Sequence, residues 1–125
     1  MKRLFRKATL HRIGVLLAIG SALLAPSLHA RDSMSEDAAA LRLQAYLAKT
    51  LPARGLSLNC IALLFEESTA QFFQIAVREK HGGTCPGDPD TAPIVDRYRI
   101  LRKGSALQRY DVIEDEWVRA PQPKP

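Results

Sequence analysis

The sequence is poor in the residues that usually announce chemistry. Beyond residue 30 it holds one histidine, His81, and its only two cysteines, Cys60 and Cys85. Neither a C-x-x-C pair nor a histidine cluster accompanies them, which argues against a zinc site or a thioredoxin-type redox pair. Ser57, Ser68 and Ser105 lie in no G-x-S-x-G elbow. Gly82-Gly83 lacks the following lysine and helix of a phosphate-binding loop. Aromatic residues make up 6% of the chain, so there is little material for a large core. The longest apolar run, Ile13 to Leu24, is about twelve residues, well short of the ~20 that a membrane-spanning helix requires.

What surrounds that run has a pattern of its own. Lys2, Arg3, Arg6, Lys7 and Arg12 precede it without an acidic residue, and Leu28-His29-Ala30 follows it. A basic segment, a short apolar segment and a small residue at the cut are the order of a secretory signal peptide. Residues 1–30 are therefore expected to be cleaved, leaving one small domain over 31–119 and a disordered proline-rich tail over 120–125. The expected location is periplasmic or secreted.

Charge changes meaning on that reading. The formal net charge is +5, yet all thirteen acidic residues follow Ala30 and five of the eighteen Lys/Arg precede it. The remaining chain is balanced, so the surplus of cations that nucleic-acid binding needs is missing. In an oxidising compartment, Cys60 and Cys85 are read as a disulfide. Such a bond suits a domain that buries only about 60–65% of its extended-chain surface.

Periodicity supplies the elements. Ser33 or Ser35 can cap a helix over about 36–51, in which Ala39, Leu43 and Leu47 recur on one side until Pro52 stops it. Leu56 to Phe65 and Gln71 to Glu79 read as a hairpin around Glu66–Thr69, with Phe73, Ile75 and Val77 on one face. Ile94 to Arg102 and Leu107 to Ile113 read as two further strands, and Glu114–Glu116 as a turn before Trp117. The expected fold is α+β: one N-terminal amphipathic helix packed on a four-stranded antiparallel β-meander, since no crossover helix is present to make a parallel sheet.

Between the second and third runs lies Lys80 to Pro93, with three glycines and three prolines. A loop this long is usually functional or mobile. His81, Asp88 and Asp90 are its candidate binding residues. Gly-Asp-Pro-Asp favours backbone turns made by the aspartates, and lacks the alternating oxygen ligands and final glutamate of a calcium loop. No metal or other cofactor is expected. Arg97, Arg99 and Arg102, with Lys103 and Arg109, form a candidate basic stripe for an acidic partner, a protein or an envelope polymer, with Arg97, Arg99 and Arg109 as its candidate binding residues. The alternative is a solvated sheet face whose arginines pair with neighbouring acids. Phe72, Tyr110 and Trp117 are read as core, or else as an aromatic contact patch.

His81-Gly-Gly-Thr-Cys85-Pro-Gly-Asp88-Pro-Asp-Thr91-Ala-Pro93, followed by an arginine-bearing strand, resembles small exported bacterial proteins of largely uncharacterised function. These carry a His-x3-Cys-x-Gly-Asp-Pro-x-Thr-x-Pro loop, and the likeness spans about residues 72–118. It implies an exported α+β domain and no particular activity. The function expected from all this is an exported non-catalytic binding module, an inhibitor- or immunity-type protein being one form of it. It would use the 80–93 loop, fastened by the disulfide, and the adjacent basic strand face. The alternative is a small envelope hydrolase using His81 with nearby aspartates.

Overall fold

The computed structural model describes residues 33–123, so the expected signal segment 1–30 lies outside the described residues. Helix α1 runs Glu36–Thr50. Ser35 rather than Ser33 caps it: its side-chain oxygen accepts the Ala38 N–H at 3.2 Å. Glu36 and Asp37 in the first turn and Lys49 in the last complement the helix dipole. Ala39, Leu43, Leu47 and Leu51 are all at most 1% exposed, the four-residue spacing of one buried stripe. A 3-10 turn at Pro52–Arg54 ends the helix, and Gly55 at φ 71° closes it.

Five strands follow: β1 Ile61–Ser68, β2 Phe72–Glu79, β3 Ile94–Leu101, β4 Leu107–Asp111 and β5 Glu116–Arg119. They form one antiparallel sheet in chain order. Two expectations are corrected here. The meander has five strands, not four, because Tyr110 pairs with Trp117 and Gln108 with Arg119. The Asp111–Asp115 turn that separates β4 from β5 is tight enough to return the chain onto the sheet, since Asp111 Oδ1 accepts the Ile113 N–H at 2.9 Å. The helix is also not the N-terminal element of the chain: it begins only at Glu36, although it precedes the sheet.

Strand β1 starts five residues later than the apolar run suggested, because Leu58–Cys60 forms a 3-10 turn with Ser57 accepting the Asn59 N–H. Residues paired directly across strands share a face. Phe73 opposite Ile100 and Ile75 opposite Tyr98 therefore face the same way, and all four are at most 2% exposed. With Ile61, Val77, Leu107 and the α1 stripe they form one core, placed between the helix and the inner face of the sheet. The tail is partly built in: Ala120 is 4% exposed, its N–H donates to the Leu107 carbonyl at 3.0 Å, and the Tyr46 hydroxyl donates to the Pro121 carbonyl at 2.9 Å.

Cys60 and Cys85 form a disulfide with Cα atoms 5.4 Å apart and 25 residues of separation. No described helix is long and apolar enough to cross a membrane. The disulfide fits an extracellular or periplasmic protein.

Candidate binding face

The loop from Lys80 to Pro93 is built around His81. Its ring Nδ1 lies 2.9 Å from the Asp88 carbonyl oxygen and 2.9 Å from Thr91 Oγ1. Nε2 lies 2.7 Å from Glu79 Oε2. A carbonyl and a carboxylate have no hydrogen to give, so both ring nitrogens are assigned as donors and the imidazole as its charged form. The Glu79 hydrogen bond, then that to the Asp88 carbonyl, raises the His81 pKa above its ordinary 6.5. The side chain is 8% exposed. Gly87, at φ 111°, lies flat on the ring, and a Cβ there would meet three ring carbons at 2.6 Å.

Asp88 and Asp90 make a turn. Asp88 Oδ1 accepts the Asp90 N–H at 3.0 Å, and the Thr91 hydroxyl donates to the Asp88 carbonyl at 2.9 Å. The loop is then fastened below by the disulfide, by Glu79 N–H to Pro93 carbonyl, and by Lys80 N–H to Cys60 carbonyl at 2.8 Å. The His81 ring, the Asp88 carboxylate and the Thr91 hydroxyl are spent on the loop's own shape, whereas the Asp90 side chain is exposed. Asp96 is elsewhere, ion-paired with Arg54. The hydrolase alternative therefore finds His81 without a free nitrogen and without a converging aspartate. Among the described residues, no group of three His, Cys, Asp or Glu is placed to hold a metal ion.

The outer face of the sheet is different. Among the described residues α1 is the one α-helix and it covers only the inner face, while the outer residues of β2 to β5 remain half-buried or exposed, Ala76 excepted. Arg99 projects there from β3. Its guanidinium carbon lies 4.0 Å from the Phe72 ring centre and 4.2 Å from that of Trp117, a cation held by two aromatic faces. Its Nε donates to Gln74 Oε1 at 3.1 Å. Arg97, two residues back, donates through Nε to both carboxylate oxygens of Glu66 at 3.1 and 3.0 Å. Trp117 packs on Tyr110 with ring centres 5.2 Å apart, and Tyr110 bonds Asp115, which raises the pKa of its hydroxyl. Among the described residues Arg99 has no carboxylate partner within ion-pair distance.

The expected basic stripe is thus only partly assembled. Arg97 and Arg99 share the outer face. Arg109 pairs with Tyr98 in the β3–β4 register, so it belongs to the inner, helix-bearing face, and its Nε is buried without a hydrogen-bond partner among the described residues. Burial holds the Tyr98 hydroxyl far above its ordinary pKa, with Arg54 and Arg109 opposing the shift. Phe72 and Trp117, read mainly as core, instead support Arg99. The signal for Phe72 was present in the alternation: it shares parity with Gln74, not with Phe73.

No protein-family model matches this chain, and neither does any curated protein or solved structure.

Proposed function

We propose that the protein is an exported, non-catalytic binding module, periplasmic or secreted, which holds an acidic protein segment on the outer face of its sheet. An inhibitor- or immunity-type role is one form of this. The observation that carries the reading is Arg99, a cation fixed between Phe72 and Trp117 on a face that α1 leaves open, with no carboxylate partner among the described residues. Aromatic residues and arginine are the side chains that most often dominate protein interfaces. Arg99 is already immobilised, so binding costs little side-chain entropy there. The loop lies at the other end of β2 from Phe72, and its His81 and Asp88 are engaged internally rather than offered as contact groups.

Trp117 is the sole tryptophan, so its fluorescence reports directly on this face. Titration with a poly-glutamate peptide should change that fluorescence saturably, more weakly at high salt, and Arg99→Gln should abolish the change. A uronate polymer that acts where the peptide does not would move the partner class to envelope polysaccharide. No response to any acidic polymer would remove the proposal.

A further inference from the structure

A second cationic surface lies where the helix meets the β4–β5 edge of the sheet. A cleft of about 290 Å³ opens between the outer side of α1, the β3–β4 turn and the chain after β5. Arg42 and Lys49 line it from the helix and Arg119 from the strand side, with Tyr46, Ser105 and Gln122 as further polar residues and no aspartate or glutamate.

The lack of acid is built into the local sequence. On a helix, the neighbours of a side chain are those three and four residues away. For Arg42 these are Ala38, Ala39, Ala45 and Tyr46, and for Lys49 they are Ala45, Tyr46, Pro52 and Ala53. No carboxylate stands at any of these positions. Arg119 faces Gln108 across the strand pair, again an uncharged residue. Among the described residues none of the three cations makes an ion pair.

The walls are fixed. The Tyr46 hydroxyl holds the Pro121 carbonyl at 2.9 Å, Ala120 N–H holds the Leu107 carbonyl, and Leu43 and Leu47 anchor the helix in the core. Like charges on rigid walls repel one another, and an anion between them relieves that repulsion.

We propose that this cleft binds a small oxyanion of two or more negative charges, a phosphate or a phosphomonoester. Its lining includes none of Arg99, Phe72 and Trp117, and it does not depend on the function proposed for them. Glycerol phosphate and a phosphate-bearing lipid headgroup offer the same chemistry from two sources.

The test is an NMR titration of the purified protein with inorganic phosphate, with glycerol phosphate, and with vesicles containing phosphatidylglycerol. Saturable shifts at Arg42, Tyr46, Lys49 and Ser105 are expected, with affinity about tenfold lower in the Arg42→Gln/Lys49→Gln variant, a loss equal to about 1.4 kcal/mol. Both residues are exposed, so the variant should keep the wild-type spectrum elsewhere. Arg99→Gln should leave this binding unchanged. Response to vesicles alone, lost in the double variant, would identify a headgroup as the source. No saturable shift with any probe, or equal affinity in the double variant, overturns the proposal.

Discussion

Glu79 and His81 meet at 2.7 Å, carboxylate to ring Nε2, where β2 gives way to the loop that carries Cys85. The contact joins the end of a paired strand to the ring about which the loop turns. It also makes the loop sensitive to protonation.

The first prediction concerns pH. The folded-state pKa of His81 is raised above 6.5, chiefly by the Glu79 hydrogen bond. A group raised on folding contributes stability that is fully present below its unfolded value and is lost as pH rises through the folded value. Hydrogen-exchange protection of the 80–93 amides, corrected for intrinsic exchange, should therefore be greater at pH 5 than at pH 8. In His81→Gln that difference should vanish. An imidazole pKa at or below 6.5, measured by NMR, would contradict the charged assignment.

Gly87 supplies a second. Alanine there would place a methyl group 2.6 Å from the His81 ring carbons at a φ of 111°. Gly87→Ala should lower unfolding free energy by about 1–3 kcal/mol. Gly83→Ala, at φ 61° with nothing within 4 Å, should cost less. Urea denaturation of the two variants decides it, and equal midpoints would refute the packing argument.

The disulfide closes a separation of 25 residues. Chain-entropy reasoning gives it about 3 kcal/mol. Cys60→Ser/Cys85→Ser should show that loss in chemical denaturation, and the His81 pKa should fall back toward its ordinary value as the loop loosens. A wild-type pKa in the open variant would mean that the hydrogen bonds alone hold the loop.

Adjacent residues on opposite faces give the last test. Phe73 is 1% exposed and packs edge-on against Phe65, with ring centres 5.8 Å apart. Phe73→Ala should cost about 3–5 kcal/mol. Phe72→Ala should cost far less stability and instead weaken the response of Trp117 to acidic peptide. Equal destabilisation by both would place Phe72 in the core and remove half of the Arg99 support.

Much of this was legible from alternation. Phe73, Ile75 and Val77 are buried together because a strand points every second side chain the same way, whatever it pairs with. Ala39, Leu43 and Leu47 follow equally from helical spacing. The fifth strand was not legible, because Glu116–Arg119 is four residues long and follows an acidic turn. Arg109 was assigned to the wrong face for a related reason. Parity within a strand is local, but parity between β3 and β4 depends on the register set by the Lys103–Ala106 turn, which pairs Arg109 with Tyr98.

The sequence by itself determined the period of each element, the partner of each cysteine and the turn-forming nature of the loop, because these depend on neighbours or on having only one possible mate. Tertiary structure alone decided that Arg99 lies between Phe72 and Trp117, and that His81 is enclosed by Glu79, Asp88 and Thr91. Apart from the Glu79–His81 pair, those contacts join residues from different strands or from opposite ends of a loop. The distances of these longer-range contacts are fixed by strand register and disulfide closure, and spacing along the chain does not encode them.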